Sequence, residues 1–314
     1  MHILLTGGCG YVGTVLTKTL LDMGEKVTVF DIMWFGNYLN DHKNLTVIRG
    51  DIRKTGDIPM EGVDVVIHLA NVANDPCGDL NSKLSWEVNV LATMGLVEKA
   101  IENKVTQFIY ASSGSVYGVK EEDKVTEDLS LVPISDYNKT KMISERVLLS
   151  YKNDIILQCI RPATICGYSP RMRLDLSVNM LTIMALKKKR ITVYGGDQIR
   201  PNIHIKDMIN VYLHFMRLGS KAQGIFNAGF ENISIMDIAK KITEFVEAEI
   251  VMTESNDPRS YRLCSDKLLE SGFKQKYFVE DGIKDVIQAY ESKILDDEDR
   301  YYNIRTMKIM KDLY

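Results

Sequence analysis

The sequence predicts an α/β fold in which a doubly wound parallel sheet carries a smaller C-terminal lobe. Three observations predict it: strand-like and helix-like patterns alternate through the first half, a glycine cluster separates the first strand from the first helix, and the alternation becomes irregular near Cys166. Residues 2–5 are a short apolar run, read as a buried strand, and Val12, Leu16, Leu20 and Met23 then recur on one face of a helix that Gly24 closes. Segments 27–30, 46–48, 63–69, 108–111 and 155–160 read as further strands, most of them separated by helix-compatible stretches. Beyond residue 166 the pattern predicts a strand at 191–194, a helix at 207–217 and a strand at 225–228, with part of the 200–230 region returning to the main sheet. Ser234 starts a helix with the apolar stripe Ile235, Ile238, Ala239 and Ile242, and Asp237 completes a capping box three residues on.

The 314 residues suffice for one large domain or for a domain plus a lobe, and the second is expected. A net charge of −3 gives no sequence-independent hold on nucleic acid. The five cysteines, Cys9, Cys77, Cys159, Cys166 and Cys264, are odd in number and include no C-x-x-C, which argues against a disulfide framework and a zinc site. No charged-then-apolar leader precedes the first strand, and no apolar run approaches the ~18 residues of a bilayer span. A soluble, cytoplasmic protein without membrane partners is therefore expected. The acidic run 296–299 and the basic run 187–190 read as solvated helix ends.

Gly8, Gly10 and Gly13 spell G-x-G-x-x-G, while Gly7, Gly10 and Gly13 spell G-x-x-G-x-x-G, so the identity of the first turn glycine stays open. Either way, a turn without side chains lets backbone approach a pyrophosphate at the positive end of the next helix. Asp31 ends the second strand 18 residues past Gly13, where a carboxylate accepts from both adenosine ribose hydroxyls. It would repel a 2′-phosphate, and Ile32, Met33 and Trp34 supply no arginine to neutralise one, so NAD is expected over NADP. Asp51, after the third strand, is either a partner for the adenine amino group or a turn former.

Tyr137 and Lys141 stand four apart at the start of a predicted helix and so share one face. A neighbouring ammonium and an oxidised nicotinamide would stabilise the phenolate, making Tyr137 a base for a hydroxyl proton. Ser112, Ser113 and Ser115 follow the 108–111 strand at the sheet edge where this fold binds ligands, and one of them is placed to hold the reacting oxygen.

With these motifs in order, the chain resembles the extended short-chain dehydrogenases/reductases of the NAD-dependent epimerase/dehydratase family, which act on nucleotide sugars. The resemblance rests on the glycine turn 7–13, Asp31, Asp51-Ile52, His68-Leu69-Ala70, Asn89-Val90, the Ser112 to Gly118 segment, Tyr137-x-x-x-Lys141 and Arg161-Pro162-Ala163-Thr164, and it covers nearly the whole chain. It implies a Rossmann-type NAD-binding domain over 1–165 and a mainly substrate-binding lobe over 166–314. Gly7, Gly10, Tyr11, Val12, Gly13, Asp31, Asp51, Ile52, Leu69, Ala70, Asn89, Ser112, Tyr137, Lys141 and Pro162 would then contact or support the cofactor. Ser113 would hold the sugar hydroxyl with Tyr137 and Lys141 as its catalytic partners, and His68 belongs to the strand-end motif rather than to acid/base chemistry. Ser115, Arg171, Arg173, Asn179, Arg200 and Arg259 would face the nucleoside-diphosphate sugar, Asn179 at its diphosphate.

The family's 4,6-dehydratases carry an Asp-Glu pair where this chain has Gly114 and Ser115, which removes the proton relay for eliminating water. Cys166 also stands where an aromatic residue is common, putting the shape of the substrate pocket in doubt. The expected reaction is NAD-dependent oxidation at C4 of the sugar, foremost as a 4-epimerase. The alternatives are a 4-dehydrogenase/reductase or dehydratase of a deoxysugar or heptose pathway, and a non-catalytic NAD(H)-sensing protein. A homodimer through helices near residues 86–103 and 137–152 is implied by the resemblance alone.

Overall fold

The structure, a computed structural model, describes residues 1–255 and 260–310, so Arg259 lies outside the described residues. In chain order the strands are β1 (His2–Thr6), β2 (Lys26–Asp31), β3 (Leu45–Arg49), β4 (Val65–His68), β5 (Gln107–Ala111), β6 (Ile156–Pro162), β7 (Thr164–Cys166), β8 (Arg190–Tyr194), β9 (Ile199–His204), β10 (Gly224–Ala228), β11 (Glu231–Ser234) and β12 (Glu249–Thr253). The helices are α1 (Tyr11–Asp22), α2 (Asp75–Leu80), α3 (Ser82–Trp86), α4 (Ala92–Glu102), α5 (Asp136–Ser150), α6 (Ser177–Lys188), α7 (Ile205–Leu218), α8 (Ile235–Thr243), α9 (Asp266–Glu270), α10 (Val279–Glu291) and α11 (Asn303–Ile309). No helix among the described residues is long and apolar enough to cross a membrane.

The main sheet is parallel throughout, in the order β3-β2-β1-β4-β5-β6-β10. Its winding reverses between β1 and β4, and a crevice opens there at the carboxyl ends of the strands. Strand alternation divides the core into two layers. Ile3, Leu5, Val27, Val29 and Ile67 face α1 and α7, whereas Leu4, Phe30, Val66 and Phe108 face α4 and α5. Both faces are covered, which is why these strands read as unbroken apolar runs.

The remaining strands build the lobe, with β7 and β11 flanking β9 in one small sheet and β8 paired with β12 in another. Its core is filled by α6, α8 and α10. Cys166 is fully buried in that core, with Sγ only 2.7 Å from where a Cβ on Gly282 would lie. The small thiol thus lets α10 pack closely on β7, and the departure from an aromatic residue reshapes helix packing rather than the crevice wall.

Two local features differ from the sequence reading. Ser234 caps α8 by accepting from the Asp237 amide at 3.0 Å, but the Asp237 carboxylate accepts the Ser234 hydroxyl at 2.7 Å instead of reaching backbone. The capping box is therefore closed side chain to side chain. The helical stretch before residue 103 is broken by a π-helical turn, Glu87–Leu91, whose wider coil carries Asn89 inward.

A buried ion pair underlies the crevice. Arg161 on β6 donates from Nε and Nη2 to the two carboxylate oxygens of Glu145 on α5, at 2.9 and 2.7 Å, with both side chains 2% exposed or less. Ser112 donates to the same carboxylate, and Arg161 Nη1 donates to the Tyr117 hydroxyl at 2.6 Å, which in turn donates to Asn227 on β10 at 2.9 Å. Removing one partner leaves the other charge buried and bare. Glu145→Ala is expected to cost about 3–5 kcal/mol, and Glu145→Leu with Arg161→Met clearly less, as read from urea unfolding.

Candidate active site

The glycine turn fits an NAD pyrophosphate by its shape. Gly7 has φ +75°, and a Cβ there would lie 2.6 Å from the Ala70 amide; a Cβ on Gly13 would lie 2.3 Å from the Gly7 carbonyl. Gly8 instead packs against Val29, and a Cβ on it would meet that side chain at 2.6 Å. The crevice is lined by Gly7, Gly10 and Gly13 but not by Gly8, so the first turn glycine is Gly7. Gly10 precedes α1, whose free N–H groups and dipole face the same space. Tyr11, Val12, Ile52, Leu69, Ala70 and Pro162 also line it.

Asp31 stands on the crevice wall with Trp34 and Phe35. Its two oxygens accept from the Cys9 and Met33 amides at 2.9 and 2.7 Å, which fixes the carboxylate while each oxygen keeps a lone pair for a ribose hydroxyl. Burial raises its pKa against those two bonds. Asp51 lines the crevice but is gripped by Arg53, which also reaches Glu87 at 2.9 Å. Burial alone would raise the Asp51 pKa; the Arg53 bonds outweigh it and hold the group below the usual range.

Asn89 does not reach the crevice wall. Its oxygen accepts from the Val72 amide at 2.8 Å and its amide donates to Val72 O and Thr140 Oγ1, so it fastens the segment after β4 to α5. His68 sits between the hydroxyls of Thr6 (2.6 Å) and Thr93 (2.9 Å), and burial lowers its pKa to about 3. It is a neutral structural imidazole.

Ser113, Tyr137 and Lys141 converge at the carboxyl end of β5 and all line the crevice. The helix bearing the last two is capped by Ser135, which accepts from the Asn138 amide at 3.1 Å and donates to Asp75 at 2.6 Å. Lys141 is 1% exposed, donates to the Ala111 carbonyl at 2.7 Å and lies 6.0 Å from the Tyr137 ring centroid. Burial pushes the Tyr137 phenol up to about 12, opposed by the Ser113 hydroxyl, and pulls Lys141 down to about 7, opposed by Glu145. The Ser115 hydroxyl donates to Asn138 Oδ1 at 2.5 Å and meets the Ser113 hydroxyl at 2.7 Å. Ser115 thus holds Ser113, and Ser112 is committed to Glu145 below.

Arg171, Arg173 and Arg200 line the crevice from the lobe. Arg173 is paired with Asp175 at 2.9 Å, and Asn74 donates to that carboxylate at 3.1 Å. Asn179 is placed differently from the sequence expectation. It is fully buried, accepts from the Gly167 amide at 3.0 Å and donates to Tyr11 Oη and Arg173 O, so none of its amide faces the crevice. Sequence reasoning did not reach Phe35, Asn74, Asp75, Asp175 or Asn303. They come from loops and from the first residues of α2 and of α11, where no periodicity or spacing ties them to the glycine turn.

The depressed Lys141 pKa has a measurable consequence. An unfolded lysine titrates near 10.5, so between pH 7 and that value the unfolded chain binds one more proton than the folded chain. Stability therefore rises with pH across this window and levels off below about pH 7. Lys141→Met is expected to flatten the rise between pH 7 and 9 by up to about 1.4 kcal/mol per pH unit, read from denaturation midpoints at each pH.

Known proteins resemble this chain over most of its length. A UDP-glucose 4-epimerase of Halalkalibacterium halodurans is 28% identical over 308 residues, covering 88% of this chain and 91% of its own length. A dTDP-glucose 4,6-dehydratase of Streptomyces griseus is 26% identical over 311 residues, covering 92% and 94%. Among solved structures, a variant of the Bacillus cereus UDP-glucuronic acid 4-epimerase, in complex with a fluorinated UDP-glucuronic acid and NAD, is 26% identical with a TM-score of 0.80, covering 92% of this chain and all of that one. Residues 3–229 match the model of the NAD-dependent epimerase/dehydratase family, and the chain belongs to that family.

Proposed function

We propose that the protein is a nucleotide-sugar 4-epimerase that takes its substrate through a 4-keto sugar and returns it with inverted configuration at C4. The observation that carries this reading is the convergence of Ser113, Tyr137 and Lys141 beside the glycine turn, with Gly114 and Ser115 where a dehydratase needs carboxylates. The similarity to a UDP-glucose 4-epimerase supports it.

When bound, NAD would supply the hydride acceptor and a positive charge, which would offset the burial that otherwise keeps the Tyr137 phenol protonated. Tyr137 then takes the C4 hydroxyl proton. Ser113 turns its hydroxyl from Ser115 to the substrate oxygen, and Lys141 holds the phenolate as an ammonium from below. The same three groups work in reverse once the keto sugar presents its other face. Arg173 and Arg200 face the nucleoside diphosphate from the lobe.

Net oxidation consumes NAD, whereas epimerisation does not, so the reading is tested by turnover with substoichiometric NAD, followed by NMR of the sugar. Conversion of many equivalents of one C4 epimer into the other is expected. A stoichiometric burst, or loss of water, would overturn it. Tyr137→Phe is expected to lower kcat at least ~10²–10⁴-fold with the fold intact by circular dichroism.

The chain is also proposed to form a homodimer through α4, the π-helical turn before it and α5, where Leu91 of the turn and Met94 of α4 are exposed apolar residues, 57% and 36% accessible. Light scattering should give twice the 35.7 kDa chain mass, and Leu91→Arg should shift it toward one. A reducing, cytoplasmic setting suits five cysteines that are all free and buried.

A further inference from the structure

Arg171 is a buried charge that the proposed reaction leaves without a task. It sits on the loop after β7, and that loop is fastened to the first residue of α1. Tyr11 Oη donates to the Gly167 carbonyl at 2.6 Å, and Ser169 Oγ donates to the Tyr11 carbonyl at 2.8 Å. The Arg171 side chain is 2% exposed and lines the crevice. Nη1 donates to the Met172 carbonyl at 3.1 Å, Nη2 to Asn303 Oδ1 at 2.5 Å, and the guanidinium lies 4.1 Å from the Phe35 ring centroid. Its Nε is buried and meets no acceptor among the described residues.

Among the described residues, no carboxylate pairs with this cation. Asp175 is taken by Arg173, and Asp31 acts on Arg171 only through space. Burial, then the Arg173 charge, lowers the Arg171 pKa to about 10. A guanidinium buried in this way calls for an anion. Apart from Arg173 and Asp175 of its own loop, its charged and aromatic neighbours are Tyr38, Asp31 and Phe35, which lie at or just past the end of β2, where the adenosine ribose is read. The glycine turn contains no lysine or arginine, and a helix N-terminus supplies only about half a positive charge toward the two on a dinucleotide diphosphate.

We propose that Arg171 is a cofactor-binding residue, pairing with the diphosphate of the adenosine half of NAD from the lobe side while Asn303 orients it. This rests on the NAD reading of the glycine turn and differs from the substrate role that the sequence suggested. The lobe and the last helix then both close on the cofactor. Such a clasp retains NAD through repeated turnover, as an epimerase requires.

The test uses nucleotide-stripped wild type, Arg171→Met, Arg171→Lys and Asn303→Ala, titrated calorimetrically with NAD, ADP-ribose and UDP, with melting temperatures recorded alongside. Arg171→Met should weaken NAD and ADP-ribose at least tenfold and leave UDP unchanged. Arg171→Lys and Asn303→Ala should lose less in the same direction. The melting temperature of stripped Arg171→Met should not fall, because an unpaired buried charge has gone. Unchanged NAD and ADP-ribose affinity in Arg171→Met would overturn the proposal, and weakened UDP binding in its place would return the arginine to the nucleotide sugar. Wild type that bound neither NAD nor ADP-ribose would overturn this proposal and the cofactor reading together.

Discussion

The geometry of the crevice depends on the ion pair between Arg161 and Glu145. It joins β6 to α5, takes the Ser112 hydroxyl at the end of β5, and continues through Tyr117 to Asn227 on β10. Every group that shapes the reacting end of the crevice hangs from one of those elements. Tyr137 and Lys141 ride on the helix that Glu145 anchors, two turns and one turn ahead of it, and Ser113 follows directly on Ser112. A buried pair of this kind contributes little net stability but fixes which way its neighbours point, because any other arrangement strands a charge.

The carboxyl edge of the sheet puts the two halves of the chemistry within reach of each other. The glycine turn leaves β1, Ser113 leaves β5, and the reversal of winding between β1 and β4 opens the space between them. The alternation of apolar residues on β1, with Ile3 and Leu5 toward α1 and Leu4 toward α4, keeps that edge level. The π-helical turn at Glu87–Leu91 adds the remaining brace, since Asn89 ties the segment after β4 to α5.

Much of this was legible in the sequence because it is local. The glycine spacing, the four-residue interval from Tyr137 to Lys141 and the serines after an apolar strand each report on one turn or one helix face, and period-two and period-3.6 patterns located the strands and helices around them. The glycine ambiguity needed coordinates, since what separates Gly7 from Gly8 is backbone twist and tertiary neighbours, the Ala70 amide against one and Val29 against the other. Asn179 misled for a related reason. Its motif predicts a crevice residue, yet the tertiary fold spends its whole amide on Tyr11, Gly167 and Arg173. Asn303 and Glu145 carried no local signal. Asn303 is distant in sequence from everything it serves, and Glu145 has the same sequence surroundings as an ordinary solvated helix carboxylate.

Tyr11 has a further consequence. As the opening residue of α1 it belongs to the cofactor helix, yet its hydroxyl and carbonyl are bonded to Gly167, Ser169 and Asn179 of the lobe. A displacement of the lobe therefore strains the positive end of that helix, and the two sites share a conformational free energy. Linkage makes such sharing reciprocal: by whatever factor an occupied lobe tightens the grip on the dinucleotide, a bound dinucleotide tightens the lobe's grip on its own ligand by the same factor.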